Sequence, residues 1–183
     1  ELFDYSSLRE GPQRALPRLI ERLHAQPPNA LVGHSLGGLM VLEALRHAPL
    51  LPIKRVVCLG SPLLGSQIAR TLAAHGWGRP LLGRSATLLQ QGLVQWEGAA
   101  AVGLVAGNVA RGLGHMFVRF DGGSDGTVAI AETLLPGLAD HCVVRSSHTG
   151  LVLSRDAARQ TGHFLHHGQF APTSEHTSRA ADV

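Results

Sequence analysis

The chain has 183 residues, of which 44% are hydrophobic and 16% are charged. This length and composition predict one globular domain with a buried core and exclude a chain that is disordered by default. The net charge is +3, but Lys54 is the only lysine and the arginines are scattered without interleaved aromatic residues. Nucleic acid is therefore excluded as an expected partner.

The cysteines and histidines of the sequence indicate neither a disulfide nor a metal site. Cys58 and Cys142 each lie in a short apolar run, which is typical of small buried side chains. His163, His166 and His167 fall on a predicted amphipathic helix, where solvated histidines are the simpler interpretation. We therefore expect no metal and no other cofactor.

No segment has the features of a membrane span or a signal peptide. The longest weakly charged region, residues 98–110, is too short and too rich in glycine and alanine to span a bilayer. The sequence begins at Glu1 without a methionine, so a targeting segment could have been removed or never included. These features leave the localisation undetermined, with the cytoplasm as the working expectation.

The first sixty residues alternate between strand-like runs and helical patterns. Residues 2–5 predict a short strand, and residues 8–26 carry apolar side chains at helical spacing. An apolar run at residues 30–32 predicts a second strand, which is followed by a helix that Pro49 ends. Residues 53–59 include a continuous apolar run, typical of a parallel strand covered on both faces. The alternation predicts a doubly wound α/β fold, a mostly parallel sheet with helices on both faces.

The alternation stops between residues 66 and 98, which predict two or three short helices and contain both tryptophans, Trp77 and Trp96. An insertion after the carboxyl end of a strand sits where ligands bind in open α/β sheets. We therefore interpret residues 66–98 as a helical lid insertion, with additional core as the alternative.

The alternation resumes in the second half of the chain. Residues 101–106 predict a further strand, residues 141–145 predict the last strand, and residues 156–165 predict a closing helix. Residues 1–168 are therefore assigned to the core, and residues 169–183 to a mobile tail.

A serine between glycines joins the second predicted strand to its helix. Residues 33–37 read G-H-S-L-G and fit the G-x-S-x-G nucleophile elbow, in the strand, turn and helix order that this motif requires. The turn exposes the Ser35 hydroxyl, and the backbone N–H of Leu36 would face a developing oxyanion. Glycines flank the serine because a Cβ there would collide. We expect His34 to point away from the solvent side of the serine, as a buried and hydrogen-bonded side chain.

A serine hydroxyl is a poor nucleophile, so it needs a base and an acid that orients the base. His148 follows the last predicted strand and is the leading base. Asp125 lies in a glycine-rich loop after the strand before it and is the favoured acid. Asp121 is the alternative acid, although its position directly after an apolar run is more typical of a turn.

These segments together resemble the lipase and esterase branch of the α/β-hydrolase superfamily. The resemblance covers residues 2–170. Four short segments in one order carry it: residues 33–38, residues 60–66 with their Gly-Ser-Pro and Gly-Ser pairs, residues 124–128 and residues 147–150. The resemblance implies that Ser35 is the nucleophile, Asp125 the acid, His148 the base and Leu36 an oxyanion-hole donor.

One part of the family pattern is missing. Members normally carry, before the elbow, a strand ending in a His-Gly type loop whose N–H completes the oxyanion hole. Only about thirty residues precede Ser35, and one strand and one helix use them. We therefore interpret the chain as a core that lacks its first strands: a shortened or cleaved chain, one part of an assembled molecule, or a natural short homologue.

Two expectations follow from the missing loop. One oxyanion donor contributes about 2.7–4 kcal/mol to transition-state stabilisation, so residues 1–183 alone should be a poor esterase. An uncovered sheet edge should bind either the missing N-terminal segment or another copy of the chain.

The sequence predicts a serine hydrolase of carboxylic esters, with an apolar acyl ester or lipid as substrate. One alternative is a non-catalytic module that binds a lipid or a protein on the same fold, and it requires His148 to lie far from Ser35 or Asp125 to point away from His148. The other alternative is an acyltransferase, which would use the same three side chains.

Overall fold

Within the residues that the structure describes, the protein is built around a parallel sheet of four strands. The computed structural model describes residues 1–4, 11–74, 85–111 and 122–172. The strands lie in the order β1-β2-β3-β4, and every neighbouring pair is parallel. Their bounds are Ala30–His34 for β1, Arg55–Leu59 for β2, Ala101–Gly107 for β3 and Asp140–Val144 for β4.

Helices flank the strands on both faces of this sheet. In the described ranges, the α-helices are α1 (Pro12–Ala25), α2 (Leu36–His47), α3 (Gln67–Ala74), α4 (Ala86–Gln91) and α5 (Arg155–His167), and two 3₁₀ helices span Ile130–Thr133 and Thr149–Leu153. Local sequence sets several ends: Pro12 occupies the first turn of α1, where its missing N–H costs nothing. The hydroxyl of Ser154 accepts from Ala157 N–H at the start of α5, and Gly168 ends that helix with a left-handed backbone.

The two faces of the sheet belong to two separate apolar cores. On one face, α2 packs against β1 and β2 and α1 packs against α2, in a core that includes Leu39, Val56 and Leu104. On the other face, α5 packs against Val57 and Val105, which are fully buried. Apolar residues run continuously through β2 and β3 because both of their faces are covered. The predicted parallel sheet with helices on both faces is confirmed.

The core beneath α5 depends on a glycine opposite a phenylalanine. Phe164 is fully buried, and a Cβ added to Gly103 of β3 would lie 2.6 Å from the Cε2 atom of its ring. A ring can therefore rest directly on the backbone of β3. Phe170 also packs against this ring, with the two ring centroids 4.9 Å apart.

The structure differs from two sequence expectations at the ends of the chain. Residues 1–4 form no strand; Phe3 packs against the α1 side of the core, with the Arg18 guanidinium 5.7 Å from its ring centroid. Residues 169–172 do not form part of a tail, because Phe170 is buried and Gln160 exchanges hydrogen bonds with the backbone of Ala171. Tyr5 and residues 173–183 of the predicted tail lie outside the described residues.

The predicted lid segment holds α3 and α4, while its middle, residues 75–84 with Trp77, lies outside the described residues. Ile68 and Leu72 of α3 form a small apolar cluster with Leu89 of α4, which also packs against the core on the α2 face. Trp96 instead belongs to the core on the α2 face. The lid function of α3 and α4 stays a prediction. Across the ranges that the structure describes, every helix is too short or too polar to cross a membrane.

Replacing Phe164 with alanine should destabilise the protein by about 3–5 kcal/mol, because a fully buried ring leaves a cavity between Gly103 and Phe170. Leu50→Ala is the matched control, since Leu50 is 93% exposed and should lose less than about 0.5 kcal/mol. Denaturant unfolding measures both changes, and equal losses in the two variants would contradict this description of the core.

Candidate active site

Ser35 lies between the last residue of β1 and the first residue of α2, in a backbone conformation that non-glycine residues rarely adopt. Its φ is 54° and its ψ is −123°, and it is the only non-glycine residue with positive φ in the described ranges. Such a conformation costs about 1–3 kcal/mol and persists only where its surroundings hold it. Here the Ser35 N–H donates to the Leu59 carbonyl at 2.8 Å, which ties the turn to β2.

Glycine is needed at some of the flanking positions and not at others. A Cβ at Gly33 would lie 2.6 Å from the backbone of Gly37 and Gly38, because α2 crosses directly over β1. A Cβ at Gly38 would overlap the hydroxyl of Ser61. Gly37 has open space, so the expectation that a Cβ would collide there is wrong.

The structure brings Ser35, His148 and Asp125 together in one hydrogen-bonded row. His148 Nδ1 is 2.8 Å from Asp125 Oδ2, and His148 Nε2 is 3.0 Å from Ser35 Oγ. Because a carboxylate only accepts, Nδ1 carries the hydrogen and Nε2 of the neutral ring accepts from the serine hydroxyl. The row therefore has the order and polarity needed to take a proton from Ser35.

The loop that carries Asp125 holds its carboxylate in one orientation. The N–H groups of Thr127 and Val128 donate to Oδ1 at 2.9 and 2.7 Å, which leaves Oδ2 for His148. A bridge between Ser124 and Ala129 closes the loop, and Asp125 is only 1% exposed. A buried carboxylate with these charge-assisted bonds is a fixed partner for an imidazole. The alternative acid, Asp121, lies outside the described residues.

Two glycines at strand ends make room for this row, and the sequence interpretation assigned neither of them a role. Gly60 follows β2 with a φ of +52°, and a Cβ there would lie 3.1 Å from Asp125 Oδ2 and 3.2 Å from His148 Nδ1. A Cβ at Gly107, the last residue of β3, would lie 2.9 Å from Asp125 Cβ. The available signal was a glycine directly after an apolar run, which marks close backbone approach.

Glu132 links the loop that carries Asp125 to α3. Its side chain accepts from the N–H of Ala129, beside the loop, and from the N–H of Gln67, at the start of α3. Burial raises the pKa of Glu132 above its usual value, and the two N–H bonds oppose that rise. The segment after β2 is thus fastened to the loop that positions Asp125.

The predicted oxyanion donor, the N–H of Leu36, lies at the start of α2. Leu36 is the first residue of α2, so its N–H has no carbonyl partner within the helix and lies beside the serine. In the described residues before Ser35, the regular elements are α1 and β1. The role of Leu36 and the slow turnover expected from one donor both stay predictions.

His34 is hydrogen-bonded, as expected, but it does not point away from the site. Its Nε2 is 3.0 Å from the main-chain oxygen of His148, and the two ring centroids are 4.8 Å apart. The expectation missed this contact because sequence gives only the alternation of side chains along β1. His34 lies on the same face of the sheet as Val32, the face on which the loop after β4 also packs.

The cysteines are not reactive thiols. Cys58 is buried and Cys142 is half-buried; both are free, and burial raises the pKa of each thiol to about 12. His163, His166 and His167 lie on α5, away from Ser35 in the sequence, and within the described part of the chain no three or more His, Cys, Asp or Glu side chains are grouped to hold a metal.

Gly60→Ala should destabilise the protein by about 1–3 kcal/mol and separate His148 from Asp125, because the new Cβ lies at positive φ against both side chains. The measurements are denaturant unfolding and the proton NMR signal of the His148 Nδ1 hydrogen. Gly162→Ala is the matched control: Gly162 has open space inside α5, and alanine there should stabilise by up to about 1 kcal/mol. Identical behaviour of the two variants would refute the role given to Gly60.

Comparisons with known proteins show which solved structures share the fold of this chain. No family model matches the sequence, and no curated protein matches it. The mature form of a lipase from Bacillus licheniformis superposes with a TM-score of 0.62 at 22% identity, covering 84% of this chain and 71% of that chain. A metagenomic carboxyl esterase has a TM-score of 0.56 at 21% identity, covering 78% of this chain and 52% of its own.

A phospholipase from Legionella pneumophila superposes over 90% of this chain and 48% of its own, with a TM-score of 0.61 and 14% identity. The chain thus spans 71% of the mature lipase and about half of the other two proteins. At these identities the likeness concerns architecture. The chain has the α/β-hydrolase fold that is found in these lipases and esterases.

Proposed function

We propose that this protein is a serine hydrolase of carboxylic esters. The observation that carries the proposal is the hydrogen-bonded row from Ser35 through His148 to Asp125. Ser35 follows β1, Asp125 follows β3 and His148 follows β4. All three therefore lie at the carboxyl ends of a parallel sheet, where open α/β folds bind ligands. The order Ser, Asp, His along the sequence is that of α/β-hydrolases.

Acyl transfer would proceed in two steps. The Ser35 oxygen forms a bond with the ester carbonyl carbon while its proton passes to His148 Nε2, and the Leu36 N–H donates to the oxyanion. The imidazolium then gives that proton to the departing alkoxide, which leaves an acyl ester on Ser35. Water attacks this ester with His148 again as base, which releases the acid and restores the serine. Asp125 holds the ring orientation and stabilises the imidazolium throughout.

The geometry does not favour a non-catalytic module. That alternative requires His148 to be far from Ser35 or Asp125 to point elsewhere, whereas the two distances in the row are 3.0 and 2.8 Å. An acyltransferase would use the same row and differ only in the acceptor of the acyl group. Measuring acyl transfer to an added alcohol against release of the free acid separates these two reactions.

For the substrate, we propose an ester with an apolar acyl chain. The apolar cluster of Ile68, Leu72 and Leu89 lies on α3 and α4, which follow β2 in the chain. The hydrogen bonds of Glu132 connect the start of α3 to the loop that carries Asp125. An apolar segment linked in this way to the loop of Asp125 suits a hydrocarbon chain more than a charged substrate. The names of the similar structures, lipase, carboxyl esterase and phospholipase, agree with this substrate class.

A fluorophosphonate probe should label Ser35 in the wild-type protein, and peptide mapping should find no label in Ser35→Ala. Asp125→Asn should lower the labelling rate by about 10⁴-fold, because the amide favours the wrong tautomer of His148. Asp140→Asn is the matched control: Asp140 accepts from the N–H groups of His141 and Phe170 and does not contact the row. A folded wild-type protein that stays unlabelled would rule out the hydrolase proposal.

We also propose that the outer edge of β1 accepts one more strand. β1 pairs with β2 along one edge, and among the described residues no strand pairs with its other edge. A groove with an apolar lining, including Leu31, Val32 and Met40, runs along that side. Val32 is 48% exposed, which is unusual for an apolar residue in a central position of a strand. Such an edge is a template for strand pairing, with another copy or a further segment of polypeptide as the donor.

Val32→Lys should weaken self-association, because a charged side chain opposes pairing at this edge. Sedimentation velocity over a range of concentrations should show dimers for the wild type and a shift towards monomers for the variant. Val94→Lys is the matched control, since Val94 is 86% exposed and lies outside β1. A wild-type chain that stays monomeric would exclude the second copy as the strand donor.

A further inference from the structure

His34 contacts the main chain of the proposed base. It is the last residue of β1, and its Nε2 lies 3.0 Å from the carbonyl oxygen of His148. The two imidazole rings are inclined by 42° with centroids 4.8 Å apart, so the ring of His34 also packs against the ring of His148. This contact involves no reacting atom, which separates His34 from the row of Ser35, His148 and Asp125.

The chemistry of the contact defines the form of the His34 ring. A carbonyl oxygen can only accept, so Nε2 of His34 carries a hydrogen and donates it. Burial lowers the pKa of His34, and the neighbouring His148 lowers it further, so the neutral ring is favoured. A neutral donor can bind the carbonyl without placing a second positive charge beside the imidazolium of His148.

The backbone of His148 is consequently held from two sides. Its N–H donates to the Asp125 carbonyl at 2.9 Å, and its carbonyl accepts from His34. The ring between these two points makes its own bonds to Asp125 Oδ2 and Ser35 Oγ. Because His34 is joined covalently to Ser35, this second bond ties the backbone of the base to the residue next to the nucleophile.

We propose that His34 is a positioning residue that fixes His148 relative to Ser35 through the main chain of His148. The consequence for turnover rests on the proposed ester hydrolysis, whereas the consequence for geometry does not. A misplacement of about 1 Å between reacting groups can cost about 100-fold in rate, so one backbone bond at this place has a measurable effect. The bond to Asp125 restrains the amide side of His148, and the bond to His34 restrains its carbonyl side.

Three substitutions of His34 separate the effect of its hydrogen-bond donor from the effect of its ring. His34→Phe keeps a ring of similar shape and removes the donor. His34→Gln places an amide nitrogen about where Nε2 lies, whereas His34→Asn has the same amide on a shorter chain that falls short of the carbonyl. Thermal unfolding verifies that each variant is folded. If the phenylalanine variant does not fold, the matched pair of glutamine and asparagine decides the question.

Turnover of a short-chain ester gives the first readout. His34→Phe and His34→Asn should lower kcat by about 10- to 100-fold with KM nearly unchanged, since they disturb the base and leave substrate binding intact. His34→Gln should recover most of the lost kcat. If His34→Asn is as active as the wild type, or if His34→Gln is as impaired as His34→Asn, the donor has no positioning role and the proposal is wrong.

The proton NMR signal of the His148 Nδ1 hydrogen gives a second readout that needs no turnover. The short bond to Asp125 should place this signal far downfield in the wild type and in His34→Gln. In His34→Asn it should be broadened or lost. This result in a protein without serine-dependent turnover would refute the hydrolase proposal and retain the positioning role. An unchanged signal in His34→Asn would overturn the positioning role alone.

Discussion

The rest of the site depends on the turn from β1 into α2, in which Ser35 is held at positive φ. Strain of about 1–3 kcal/mol at this residue is small beside the burial that follows it in α2. Leu39, Met40 and Leu42 are almost fully buried, and each contributes about 1.5–3 kcal/mol by leaving water. The helix can adopt its packed position only if the chain reverses within one residue, so the apolar core maintains the strained serine.

The parallel sheet then determines which loops can meet at that serine. The carboxyl ends of all four parallel strands lie at the same end of the sheet. At the ends of β2 and β3 the backbone carries glycine, where a side chain would fill the site. Gly60 leaves space beside the bond between Asp125 and His148, and Gly107 leaves space beside Asp125 itself. The positions of Asp125 and His148 therefore depend on the lack of a side chain at Gly60 and Gly107 as well as on the hydrogen bonds of the row.

The sequence was sufficient for the alternation of strands and helices and for the choice of Ser35, Asp125 and His148 as candidates, because apolar periodicity and turn residues are local signals. It was insufficient where a partner distant in the chain decides. Phe170 is buried because Phe164 and Asp140 lie beside it, although its neighbours in sequence resemble a tail. The open space beside Gly37 likewise depends on how α2 packs in the folded chain, which the residues next to Gly37 do not determine.

The strand that precedes Ser35 is one of the two edge strands of the described sheet. β2 and β3 each have two neighbouring strands, and α5 packs across both of them, whereas β1 pairs with β2 alone and β4 with β3 alone. His34 and Val32 lie on the same face of the sheet as Val57, the face on which α5 packs against β2 and β3, and Val32 remains half exposed there. A strand added at the outer edge would restrain β1 directly. Since His34 and Ser35 lie at its carboxyl end, that restraint would reach Ser35 and, through the bond of His34, the backbone of His148. Pairing at the outer edge of β1 and the geometry of the site therefore depend on the same strand.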